Sequence, residues 1–167
     1  ENTGFLFGGI SSSDFWVISL DRTRYKETLF PGSLSLVLSG SSGKITLTDN
    51  SQTVSSITFN DAGRVFQLVS GSQGTVYTGL NSNGYSPSGS YGWFLPDIGT
   101  LILHPSALSA SIGLNSSQSY NADGLNYRKI FDAINGTTAK SFMLNSQETI
   151  SSDYIFIWAR NAEFNYS

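Results

Sequence analysis

The only histidine of the chain, His104, stands in "YGWFLPDIGTLILHPSAL" (Tyr91–Leu108) with Asp97 seven residues upstream and Ser106 two residues downstream. That trio has the residue types of a hydrolase: a nucleophile, a base and a carboxylate that orients the base, which work only within hydrogen-bond reach of one another. No Gly-x-Ser-x-Gly elbow accompanies it, and Ser106 follows a Pro. The reading we favour makes His104 a strand-end residue beside a turn. Asp14, Asp21, Glu27 and Asp132 are carboxylates of the kind that cleave glycosides in pairs, but no spacing pairs any two of them. "NDAG" and "NADG" resemble pieces of calcium loops without the alternating carboxylates and the distal Glu, and Asx-turns account for both. The expectation is therefore a protein that is not an enzyme and has no cofactor or metal.

Two further sets could contact a partner. "DRTRYKE" (Asp21–Glu27) gathers Arg22, Arg24 and Lys26. On an extended strand these would alternate outward, with Thr23 and Tyr25 opposite, as a solvated edge or an assembly contact. Tyr85, Tyr91 and Trp93 flank the loop-like "NSNGYSPSGS" (Asn81–Ser90) and could form a sugar-stacking platform. Trp16 and Trp158 lie inside apolar strands and read as core. The sequons at Asn115, Asn135 and Asn165 arise easily in a chain so rich in Ser and Asn.

The elements that would hold these groups are mostly strands. In "SLSLVLS", Leu34, Leu36 and Leu38 recur every second residue; in "KITLTD", Ile45 and Leu47 face inward with Thr46 and Thr48 outward. "GSSG" between them suits a hairpin. "SSITFN", "RVFQLVS" and "GTVYTGL" continue the pattern, and "DFWVISL", "TLIL", "KSFMLN" and "DYIFIWAR" read as strands too. Such regular turn spacing predicts a mainly β protein, an antiparallel sandwich or barrel-like domain. One α-helix is expected near residues 123–134, with Leu125, Ile130, Phe131 and Ile134 along one face and Gly136 after its end. "SALSASIG" would add at most a single helical turn opened by Pro105 or Ser106.

Composition sets the outer bounds. With 167 residues, 39% hydrophobic and 13% aromatic, the chain can fold as one domain, residues 1–167, without staples. Charged residues are only 13% and the net charge is −3, which gives no basic footprint for nucleic acid. There is no cysteine. No apolar run approaches the ~20 residues of a membrane-spanning helix. The start "ENTGFLFGG", without Met, and the end "NAEFNYS" suggest a piece of a longer chain.

Three patches, taken in order, resemble virion structural proteins of tailed bacteriophages, especially the contractile-tailed phages of marine cyanobacteria. They are "FWVISLDRTRYKETLFPGSL" (Phe15–Leu34), "YGWFLPDIGTLILHPSAL" (Tyr91–Leu108) and "YIFIWARNAEFNYS" (Tyr154–Ser167). The matching positions are Arg22, Lys26, Glu27, Pro31 and Gly32, then Tyr91, Gly92, Pro96, Asp97 and Gly99, and finally Asn161, Glu163, Phe164, Asn165 and Tyr166. The resemblance implies a virion component, in tail or baseplate more than in head. Its partners would be other virion proteins and copies of itself, with no nucleic acid or membrane. The alternative is a carbohydrate- or receptor-binding β-sandwich module that meets a glycan through Tyr85, Tyr91 and Trp93.

Overall fold

Leu34, Leu36 and Leu38 are all fully buried, so the period-two pattern in this stretch marks a strand with one face on the core. The computed structural model describes residues 5–7, 10–12, 14–77, 90–116, 125–135 and 141–152. Their strands are β1 (Phe5–Phe7), β2 (Ile10–Ser12), β3 (Trp16–Ser19), β4 (Thr28–Leu29), β5 (Ser35–Gly40), β6 (Gly43–Asp49), β7 (Thr58–Asn60), β8 (Gly63–Ser72), β9 (Thr75–Val76), β10 (Gly92–Leu95), β11 (Thr100–Leu103), β12 (Phe142–Met143) and β13 (Ser146–Gln147). Two α-helices, α1 (Pro105–Ile112) and α2 (Leu125–Asn135), complete the set. The protein is mainly β.

The main sheet runs β12-β5-β6-β8-β10-β11-β3, with β7 and β9 paired to the two ends of the long β8, and every pairing is antiparallel. It curls into a half-barrel. Registers put Leu36 opposite Leu47, Phe94 opposite Phe66 and Leu101, and Leu103 opposite Trp16. These residues form one inner face, which α1 covers with Ala107, Leu108 and Ile112 and α2 with Ile130 and Ala133. Burying a large apolar side chain in this way stabilises the fold by roughly 1.5–3 kcal/mol.

Turn chemistry sets the hairpins. Gln73 and Gly74, both at positive φ (49° and 78°), link β8 to β9, and Gly43 closes β5 onto β6 with Gly40 as its partner. In "NDAG", the Asn60 side-chain oxygen accepts from the Ala62 N–H, an Asx-turn at the tip of the β7–β8 hairpin; "NADG" lies outside the described residues.

Four local expectations need correction. "SALSASIG" is not a lone turn but most of an eight-residue helix: His104 caps its N-terminus, Pro105 opens it and Gly113 ends it at φ 71° with a backbone bond back to Ser109. Thr48, assigned outward, is fully buried because its hydroxyl accepts from the Gly74 N–H of the β8–β9 turn folded over it. On α2, Phe131 is 60% exposed, since the buried stripe runs through Ile130 and Ala133 and Phe131 sits about 100° round from Ile130. Residues 22–24 form a 3-10 turn instead of a strand, because Asp21 caps them locally.

Candidate assembly site

Asp21 lies two residues beyond the end of β3, and its carboxylate accepts from the Thr23 N–H at 2.9 Å and the Thr23 hydroxyl at 2.8 Å. The backbone bond first, then the hydroxyl, holds the Asp21 carboxyl below its ordinary range. This cap winds Arg22–Arg24 into the 3-10 turn. Arg22 then lies over the Tyr25 ring, 4.7 Å from its centroid, and its guanidinium donates to the carbonyls of Tyr25 and Lys26. Tyr25, only 7% exposed, seats its ring on Gly99. Gly99 has φ 67°, and a Cβ there would lie 2.5 Å from the Tyr25 hydroxyl oxygen. Only glycine suits both the backbone and the space.

The same turn is stitched to the Pro96–Gly99 loop between β10 and β11. Leu20 N–H donates to Gly99 O at 2.9 Å and Leu29 N–H to Pro96 O at 3.0 Å. The first two patches of the resemblance thus form one unit in space. Further along, Pro31 and Gly32 make a turn closed by Ser33 N–H to Phe30 O, with Gly32 at φ 87°. The buried Asp49 carboxylate accepts from the Gly32 N–H, with both of its oxygens 2.9 Å away. The third patch, with Trp158, falls outside the described residues.

Beneath the loop is an ion pair that sequence reasoning missed. Arg64, at the start of β8, donates from Nε and Nη2 to Asp97 Oδ1 at 3.0 and 2.6 Å, and its backbone N–H reaches Oδ2 at 2.7 Å. Nη2 also donates to the Thr28 hydroxyl at 3.3 Å. The pair is about a quarter exposed, and Gly63 leaves it room, since a Cβ there would stand 2.3 Å from Asp97 Oδ2. Partial burial pushes the Asp97 carboxyl up, but the Arg64 hydrogen bonds and charge outweigh this and leave it below the usual 3.8. One signal could have found it: in a chain with so few charges, an Arg inside a strand needs a partner.

A depressed carboxyl stabilises the fold above its unfolded value and loses that contribution as pH falls through the folded value. Asp97→Asn is therefore expected to cost roughly 1–3 kcal/mol at pH 7, with the deficit shrinking below the unfolded value of about 3.9. Urea titrations of both proteins at pH 7 and pH 2.5 check this; an equal deficit at both would contradict it.

Of the three cations, Arg22 is folded back and Lys26 pairs with Glu148 at 2.7 Å, a bond that raises the Lys26 pKa. That pair is open to solvent and screened by salt. Arg24 is exposed; its backbone N–H donates to Asp21 O at 2.9 Å, and its side chain has no hydrogen bond or ion pair among the described residues. Of the three aromatics, Tyr91 is 5% exposed, turned into the core with its hydroxyl 3.4 Å from Ser111 Oγ, and therefore not a surface contact. Trp93 is half-buried, opposite Ile102 and Gln67. Tyr85 lies outside the described residues.

The hydrolase trio does not assemble as a relay. His104 is fully buried and its Nδ1 accepts from the Ala107 N–H as the cap of α1, while Asp97 is held by Arg64. Glu27 accepts from the Thr149 N–H, and Asp14 and Asp132 are exposed. Among the described residues, no group of three or more His, Cys, Asp or Glu is placed to hold a metal ion, and no helix is long and apolar enough to cross a membrane. Comparison with protein-family models, with curated proteins and with solved structures finds no match to this chain.

Proposed function

We propose that this domain is a structural component of a tailed-phage virion, in the tail or baseplate more than the head. It acts through contacts with other virion proteins and with copies of itself, without catalysis. One observation carries the reading. Two patches of the resemblance, about seventy residues apart in sequence, meet as a single turn-on-turn unit that holds Tyr25 on Gly99 and leaves Arg24 presented to solvent.

Further support comes from what the polar groups do. Asp21, Asp49, Asp97 and His104 all cap or brace backbone turns. A rigid frame of this kind gives a docking surface a fixed shape and lowers the ordering cost of assembly. The glycan-binding alternative loses one of its three aromatics to the core, because Tyr91 faces inward.

The test is cross-linking and mass spectrometry of particles that contain the protein. Cross-links from the Lys26 region to virion neighbours are expected. A protein that never enters particles, or particles that assemble and infect normally without it, would refute the reading.

A further inference from the structure

Gln73 is the one non-glycine residue at positive φ (49°) among the described residues. With Gly74 at 78° it makes the two-residue turn from β8 to β9, where Asn or Gly would hold the first place with less strain. A residue kept in a conformation that its side chain disfavours points to a use for that side chain. Gln73 lines an open cavity of about 490 Å³, together with Phe30, Gly32, Ser33 and the Phe142–Asn145 segment.

Hydrogen bonds fix the shape of the cavity wall. Phe30 N–H donates to Asn145 O at 2.8 Å, Asn145 N–H to Ser33 Oγ at 3.0 Å and Gln73 N–H to Leu34 O at 2.9 Å. These bonds engage the backbone and leave the side-chain amides over. Neither the Gln73 nor the Asn145 carboxamide is hydrogen-bonded among the described residues, and both residues are exposed. Phe30 is 45% exposed and adds an aromatic ring to the lining; Phe142 and Met143, both half-buried, add further apolar surface. No charged residue lines the cavity.

We infer that this cavity is a binding site for a neutral saccharide. Hydroxyls on adjacent ring carbons match a carboxamide, whose oxygen accepts from one while its NH₂ donates to the other. The C–H face of a pyranose packs on an exposed aromatic ring, and Phe30 supplies one. The volume lies within the range of small-ligand sites and has room for a monosaccharide. An acidic sugar would lose hydration here without meeting a counter-charge. An extended peptide would need free main-chain donors, and the N–H groups of Phe30, Ser33, Gln73 and Asn145 are already bonded. The site is separate from the Tyr85, Tyr91 and Trp93 set, and its fixed frame lowers the ordering cost of binding.

Ligand-observed NMR of the purified chain tests this, with glucose, galactose, N-acetylglucosamine and their short oligomers as probes. N-acetylneuraminic acid and a capped neutral peptide serve as comparisons. At least one neutral sugar is expected to bind with millimolar affinity, and Gln73→Gly and Asn145→Ala should each weaken it at least tenfold. Gln73→Gly is the sharper variant. It relieves the turn, so its melting temperature should equal or exceed the parent's while binding falls; a residue serving only the turn would leave binding intact. Absence of any neutral-sugar signal, binding unchanged in both variants, or preference for the acidic sugar or the peptide overturns the inference. Cross-links within particles decide the assembly reading separately.

Discussion

Gly92→Ala is expected to be the most damaging single-methyl substitution in the described residues, costing about 3 kcal/mol or more through forced backbone strain and overpacking. Gly92 opens β10 at φ 151°, and a Cβ there would fall 1.9 Å from the carbonyl oxygen of Ile102 on the neighbouring β11. The methyl cannot be accommodated by turning a flexible side chain, because the obstacle is backbone in a paired strand. Gly43→Ala separates the two causes. Gly43 has φ 148° but nothing within 4 Å of a Cβ, so the substitution bears the backbone cost alone, roughly 1–2 kcal/mol. Denaturant melts of both variants give the comparison. Equal losses would mean that the close approach of β10 to β11 contributes nothing.

Phe94→Ala is expected to cost about 3–5 kcal/mol, enough to unfold a marginally stable domain at physiological temperature. Phe94 is fully buried in the middle of the inner face, opposite Phe66 on one side and Leu101 on the other. Its loss leaves a cavity that two paired strands cannot close by moving. Phe94→Leu should recover more than half of the loss, since it restores most of the volume. Phe131→Ala is the contrast. That ring is 60% exposed, and its removal should leave the melting temperature within a degree or two. A Phe94→Ala protein with near-native stability would mean that the core is centred elsewhere.

The reach of sequence reasoning follows from how local each cause is. Leu34, Leu36 and Leu38 announced their strand because a half-buried strand writes its own period, and the "GSSG" hairpin because its turn is self-contained. The first helix hid for the opposite reason. In "PSALSASI" small Ser and Ala residues blur the apolar stripe, and its cap is an imidazole in place of a Ser or Asp. Arg22–Arg24 misled because alternation in "RTRYK" mimics a strand while one upstream carboxylate, Asp21, curls it. The Arg64–Asp97 bond lay beyond local reading altogether, since thirty-three residues separate its partners and only the sheet brings them together. The site followed the same rule. Arg24 was legible as a candidate by composition, but that Arg22 and Lys26 would be engaged and Arg24 left over depended on Tyr25, Gly99 and Glu148 being in place.

The pairing of β3 with β11 has a consequence in time. Hairpins such as β5–β6 and β10–β11 join neighbours in sequence, whereas β3 must wait for a partner that begins at Thr100. Contacts of such long range close late, after the local ones have formed. During synthesis β3 therefore stays without this partner until most of the domain has left the ribosome. The Arg22–Arg24 turn is anchored through Gly99, so its geometry exists only once that closure is made. Pulse-labelled hydrogen exchange should find Leu20 and Leu29 amides among the last to be protected. An unfinished chain would then carry no formed turn, and under the proposed assembly role only completed domains would be incorporated.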